Sequence, residues 1–110
     1  MPDVYYNPEK FGLRVVAQLD LSEPNYDFDM VVVWEHSESG VLYWAADSGC
    51  SCPSPFEEYD SLEDLNLLFS DNYRELERFV ANSHSALDRA AFLRSVRDTI
   101  NDLESRVAYP

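Results

Sequence analysis

The stretch Phe28–His36, FDMVVVWEH, decides the fold because it is apolar on both faces of an extended chain. Successive side chains of a strand point to opposite faces of its sheet. The alternation gives two apolar sets, with Phe28, Met30, Val32 and Trp34 on one face and Val31 and Val33 on the other. A strand that is apolar on both faces is typical of a sheet interior. We therefore predict a central strand here.

Two further strands are predicted beside this segment. Leu13–Leu19 alternates, so that Leu13, Val15, Ala17 and Leu19 are expected to share one face. Ser37–Gly40 is a short hairpin connection in which Gly40 is free to adopt a positive φ. Val41–Ala46 follows as the third strand. Residues 13–46 thus predict a three-stranded antiparallel β-meander, preceded by an extended lead-in over residues 1–11.

Residues 61–107 have helical spacing. Ser61–Asp64 and Ser85–Asp88 resemble capping boxes, with a hydroxyl followed three residues later by a carboxylate. Apolar residues then recur at steps of three and four in three groups: Leu62, Leu65, Leu68 and Phe69; Tyr73, Leu76, Phe79 and Val80; Leu93, Val96, Ile100, Leu103 and Val107. We predict two to three α-helices packed on the sheet, in one α+β domain spanning residues 1–110. The alternative for the last group is a homodimer seam of about two heptads.

The charge of the chain excludes several classes of partner. Its 110 residues hold 21 acidic and 8 basic side chains, for a formal net charge of −13. Direct binding to nucleic acid needs Lys and Arg against phosphates, so we predict none. No apolar run approaches the roughly 20 residues of a membrane span, and no leader-like segment opens the chain. We expect a cytoplasmic protein.

The negative charge is unevenly distributed. Residues 1–69 hold 14 acids and 2 bases, whereas residues 70–110 hold 7 acids and 6 bases. The densest stretch comprises Glu57, Glu58, Asp60, Glu63 and Asp64. Such a patch steers a partner with a basic surface towards it and also keeps a protein soluble.

Residues 47–60 are predicted to form a loop, since Gly49, Pro53 and Pro55 exclude a helix. A disulfide between Cys50 and Cys52 would close a very small, strained ring. With His36 and His84 these cysteines could nominally supply four zinc ligands, but a Cys-x-Cys step is shorter than zinc sites use. We predict no bound metal and no cofactor.

Catalytic motifs are scarce in this sequence. The three glycines are scattered, so there is no phosphate-binding loop, and neither a nucleophile elbow nor a His-Glu-x-x-His helix is present. Glu35, beside Trp34, is interpreted as a solvated acid at a strand end. We therefore predict that the protein is not an enzyme.

The loop carries a recognisable pattern. Tyr43 to Glu57 reads YWAADSGCSCPSPFE, a strand ending in Trp and Asp that runs into Gly-Cys-Ser-Cys-Pro-x-Pro-Phe. It resembles a family of small proteins of actinobacteriophages and their hosts, and the likeness covers roughly the first 70 residues. The resemblance implies a phage or actinobacterial origin. That family has no assigned activity, so no residue role carries over.

These observations predict a small acidic protein that binds a host or phage protein with a basic surface, as an interaction or inhibitor protein. Its predicted surface combines the loop with the acidic stretch: Cys50, Ser51, Cys52, Pro53, Pro55, Phe56, Glu57, Glu58, Asp60, Glu63 and Asp64. Three alternatives stay open. They are a DNA mimic that inhibits a DNA-binding or defence protein, a metal- or thiol-dependent centre at Cys50 and Cys52, and a self-associating structural protein.

Overall fold

The structure is a computed structural model that describes residues 4–5, 7–20, 28–49, 61–81 and 86–108. Its strands are β1 (Leu13–Asp20), β2 (Phe28–His36), β3 (Leu42–Gly49) and β4 (Asn66–Leu68), and its α-helices are α1 (Tyr73–Val80) and α2 (Ala86–Ala108). Two short 3-10 helices, Pro8–Phe11 and Leu62–Asp64, precede β1 and β4. The first of them interrupts the predicted extended lead-in.

The four strands form one antiparallel sheet in the order β1-β2-β3-β4. The α+β class and an antiparallel meander with β2 in its interior are confirmed, but the sheet has four strands where three were predicted. The hairpin turn also agrees, since Gly40 has a φ of 73°. β3 continues to Gly49, so residues 47–49 belong to the strand and not to the predicted loop.

β2 is buried on both faces because it contributes to two separate apolar clusters. Val31 and Val33 belong to a helix-side cluster, with Leu19, Leu42, Leu68, Leu76, Val80, Phe92, Val96 and Ile100. Val32 and Trp34 belong to an opposite cluster, with Val4, Leu13, Ala45 and Leu65. These four side chains of β2 each have 0% exposure. Burying such a side chain is worth about 1.5–3 kcal/mol, so this strand anchors both layers.

The predicted alternation of β1 is wrong at one point. The register skips between Val15 and Ala17, which lie opposite Trp34 and Val33 of β2. A β-bulge places one extra residue in a strand and so reverses the facing of everything beyond it. Leu13 therefore packs in the opposite cluster, whereas Leu19 packs in the helix-side cluster.

The segment after residue 60 forms a strand where the spacing predicted the first helix. Ser61 does cap the chain, since its Oγ accepts a hydrogen bond from the Glu63 N–H at 3.2 Å, but only the short 3-10 turn follows. Leu65 is buried in the opposite cluster and Leu68 in the helix-side cluster. A helix would place residues three apart on one face, whereas an extended chain places them on opposite faces. β4 pairs with β3 through Leu42 and Leu68.

The other two helices are confirmed and cover one face of the sheet. α1 buries Leu76 and Val80, and α2 buries Phe92, Val96 and Ile100. Leu93 and Leu103 pack against the same cluster, so the described members of the proposed seam lie inside the domain. Neither α1 nor the described part of α2 is apolar and long enough to cross a bilayer.

Candidate functional site

The structure tests little of the surface predicted from the loop. Residues 50–60 lie outside the described part of the chain. They include all six predicted surface residues from Cys50 to Phe56 and three of the five predicted acids. Glu63 and Asp64 are described and exposed on the second 3-10 helix. Their neighbours Leu62 and Leu65 pack in or against the opposite cluster. The two carboxylates therefore stand at the rim of the sheet face that carries no α-helix.

Of the four nominal metal ligands, only His36 is described. Its Nδ1 lies 3.1 Å from the Ser39 Oγ and 3.3 Å from the Ser39 backbone N–H, which donates to it. The other side of the ring faces Gly12, where a Cβ would lie 2.9 Å from His36 Nε2. Within the described ranges, no three His, Cys, Asp or Glu side chains form a metal-binding group. The geometry gives His36 a structural role at the β2–β3 turn.

Glu35 is buried, not solvated as interpreted from the sequence. It is 7% exposed and lies opposite Arg14 in the β1–β2 register. Arg14 Nε donates to Glu35 Oε1 at 2.7 Å, and a second guanidinium nitrogen lies 2.5 Å from the same oxygen. The arginine side chain is 61% exposed, so the pair is open to solvent on one side only. The pair explains how a carboxylate is accommodated beside the buried Trp34.

An open pocket of about 580 Å³ lies on the helix side of the sheet. Three separate segments line it: the β2–β3 turn and start of β3 at residues 39–42, the end of β4 and its turn at residues 68–71, and Ile100 and Leu103 of α2. Its floor is apolar because Leu42, Leu68 and Ile100 are buried members of the helix-side cluster. Sequence reasoning missed this pocket, which requires β4 in place of a helix.

One wall of the pocket ends in an exposed aromatic ring. Phe69 lines the pocket and is 48% exposed. Asp71 lines the same wall, and the exposed Glu38 adjoins Ser39 in the opposite turn. The pocket therefore combines an apolar floor, a half-exposed phenyl ring and one acidic lining residue, Asp71.

The Asn72 side chain holds this wall against the edge of the sheet. Its Oδ1 accepts a hydrogen bond from the Phe69 N–H at 2.7 Å, and its Nδ2 donates to the Leu67 carbonyl at 3.0 Å. These backbone groups flank Leu68, which pairs with β3, and they are the groups that a further strand would bind. Asn72 stands at the N-cap of α1 but makes no capping bond with its side chain. Its carboxamide thus closes the outer edge of β4.

Comparison with known proteins gives a family without an activity. A family model described as a domain of unknown function, DUF7574, matches residues 2–109. No curated protein and no solved structure matches the chain.

Proposed function

The chain belongs to the DUF7574 family, a domain of unknown function, and we propose that it is a non-enzymatic protein-binding domain. In this proposal the 580 Å³ pocket receives an apolar side chain from a partner protein whose neighbouring residues are basic. The observation that carries the proposal is the apolar pocket with the half-exposed Phe69 on its wall. The resemblance of the loop suggests a phage or actinobacterial partner.

The size and lining of the pocket favour an apolar anchor. Pockets that bind ligands or anchor residues usually enclose about 300–1,000 Å³ and present apolar walls with few polar groups. Exposed apolar groups that gather at one place mark interaction surfaces. Aromatic side chains such as Phe69 also supply large contact areas at low entropic cost.

The charge of the chain favours a basic partner. The net charge is −13, of which residues 1–69 carry 14 acids against 2 bases. Asp71 brings a carboxylate to the pocket lining, and the predicted acidic stretch belongs to residues 1–69. Such a field accelerates association with a positive surface and is screened by salt over about 8–10 Å.

The edge of the sheet favours a side-chain anchor over strand addition. Partners that extend a sheet bind the free N–H and C=O groups of its edge strand. At β4 two of these groups already bind the Asn72 carboxamide. At the β4 edge, beside the pocket, a partner strand therefore finds these two groups already occupied.

The test compares two phenylalanines of equal exposure. Phe69 and Phe79 are both 48% exposed, but only Phe69 lines the pocket. The wild type, F69S and F79S are used as bait in an actinobacterial lysate at low and high salt, and captured proteins are identified by mass spectrometry. We expect a basic protein that is lost with F69S, retained with F79S and weakened by salt.

The control variant is the more demanding one for the fold, because the Phe79 ring contacts Trp44 at a centroid distance of 5.3 Å. Loss of binding in F69S, with both variants shown by circular dichroism to be folded, is therefore the result that supports the pocket. Equal capture by both variants would contradict the pocket as the binding surface. Displacement of the captured protein by duplex DNA would support DNA mimicry instead.

A further inference from the structure

A second pocket gathers arginines in a strongly acidic chain. It has a volume of about 310 Å³ and lies between α1 and the first half of α2. Arg89, Arg94 and Arg97 line it, three of only eight basic residues in the whole sequence. The pocket thus gathers positive side chains in a protein whose net charge is −13.

Two of these arginines are available to a ligand. Among the residues that the structure describes, neither Arg94 nor Arg97 makes an ion pair or a hydrogen bond, and both are exposed. A guanidinium group carries five N–H donors in a planar fork that matches the oxygens of a carboxylate or phosphate. Spaced three residues apart, Arg94 and Arg97 lie on neighbouring positions of one helix face.

Tyr73, which also lines this pocket, carries a hydroxyl group without a partner among the described residues. Tyr73 begins α1 and its ring packs against the helix-side cluster, but its buried oxygen has no hydrogen-bond partner in the described part of the chain. Burial raises the pKa of this hydroxyl, with Glu77 adding to the shift and Arg97 opposing it. The group is therefore protonated at neutral pH and remains a donor. Buried polar groups without a partner are uncommon in native proteins.

We propose that this pocket binds a small molecule through an oxyanion, a phosphate or carboxylate group held by Arg94 and Arg97, with the Tyr73 hydroxyl as a third donor. Glu77 lines the same pocket, so it repels the anion itself and accepts from a hydroxyl or ammonium group beside it. The ligand class is a small molecule that carries an oxyanion next to a hydrogen-bond donor. The site is separate from the Phe69 pocket, and its test is independent of protein binding.

The experiment titrates the full chain with inorganic phosphate and, separately, with acetate at constant ionic strength. Binding is followed by NMR shifts of the arginine Nε–H groups and of the α1 and α2 amides. We expect saturable shifts around the pocket, and the anion with the lower Kd identifies phosphate or carboxylate as the recognised group. Absence of saturable binding by both anions would overturn the proposal.

Matched variants separate a site from general electrostatics. R94Q/R97Q and R74Q/R78Q remove the same charge, but Arg74 and Arg78 do not line the pocket. The first pair removes charge-assisted hydrogen bonds to the anion and the second does not, so we expect Kd to rise about tenfold or more in the first and less than about twofold in the second. Equal losses in the two double variants would overturn the proposal.

Two further variants test Glu77 and Tyr73, which also line the pocket. E77Q removes the repelling carboxylate, and we expect a lower Kd for the anion that binds. Y73F removes only the hydroxyl, so we expect a Kd raised several-fold together with an unchanged or higher melting temperature. An unaltered Kd in Y73F would exclude the tyrosine from the site, and a higher Kd in E77Q would contradict the assigned role of the glutamate.

Discussion

Replacing Asn72 tests whether its side chain closes the sheet edge or caps a helix. In N72A the Phe69 N–H and the Leu67 carbonyl lose partners at 2.7 and 3.0 Å. Each hydrogen bond contributes about 0.5–1.5 kcal/mol net, and water replaces part of it at this exposed position. We expect a loss of about 1–2 kcal/mol in the free energy of unfolding. In a domain of about this size, each kcal/mol lost lowers the melting temperature by about 4–8 °C.

N72D distinguishes the two roles because they predict opposite signs. Aspartate is as good an N-cap as asparagine, and its charge suits a helix N-terminus, so a capping role predicts an unchanged or higher stability. At the sheet edge, aspartate keeps the acceptor for Phe69 but loses the donor to Leu67 and brings a carboxylate against that carbonyl. We therefore expect N72D to be destabilised by about 1 kcal/mol or more.

The assay is urea unfolding of the wild type, N72A and N72D, followed by tryptophan fluorescence. Sedimentation at increasing concentration then reports self-association, which we expect in N72A because an open edge strand can pair with a second copy. A stable, monomeric N72D would refute the assignment of Asn72 to the sheet edge. A loss of stability without self-association in N72A would support the two hydrogen bonds of Asn72 at the β4 edge. It would argue against a role of Asn72 in preventing self-association.

Three further substitutions test the structural assignments. G12A forces a φ of 73° on alanine and places its Cβ 2.9 Å from His36 Nε2. We expect urea unfolding to show a loss of about 1–2 kcal/mol in the free energy of unfolding. An unchanged stability would contradict the left-handed conformation of Gly12. R14M leaves Glu35 buried without its partner and should lower the free energy of unfolding by about 1–2 kcal/mol, less than for a fully buried pair because the arginine is largely exposed. Adding E35Q should restore much of the lost stability. A double variant no more stable than R14M would argue against the ion pair. Since burial raises the pKa of Tyr73 in the folded state, the wild type should lose stability relative to Y73F as the pH rises above about 10, whereas a constant difference from pH 7 upwards would contradict this burial.

Local patterns predicted the elements that local forces decide. The alternation of β2, the turn at Gly40 and the helical spacing of α1 and α2 are all visible within a window of about ten residues. Each is also reinforced by the packing, since Val33 and Val96 are fully buried where the pattern put them. Propensity and tertiary structure agree at these positions, so the sequence sufficed.

The bulge in β1 and the strand β4 depend on partners that lie far away in the sequence. Leu13 and Leu19 are an even number of residues apart, so a regular strand would place them on the same face. Only the pairing of β1 with β2 shows that they face different clusters. Leu65 and Leu68 fit a helix as well as they fit a strand. The edge of β3 decides between them, because extension of the sheet buries both residues on opposite faces. No local signal carries that choice.

The two pockets escaped prediction for the same reason but to different degrees. The Phe69 pocket joins segments separated by about 30 residues each, and one of them was predicted as a helix. The arginine pocket had a partial signal in the sequence, since the last 41 residues hold 6 of the 8 basic residues. That count locates positive charge without showing where it converges. Convergence requires Tyr73 and Arg97, 24 positions apart, to share the space between α1 and α2.

The segregation of charge and the two pockets fit one physical scheme. An acidic field spread over residues 1–69 acts at long range and favours a positively charged surface. Arg94 and Arg97 act only at contact distance, because the surrounding net charge repels a free anion before it arrives. An anionic ligand of the second pocket must therefore gain its affinity from short, directed hydrogen bonds. Raising the salt concentration should accordingly lower the affinity for the basic protein partner, while the affinity for the anion stays nearly unchanged or rises.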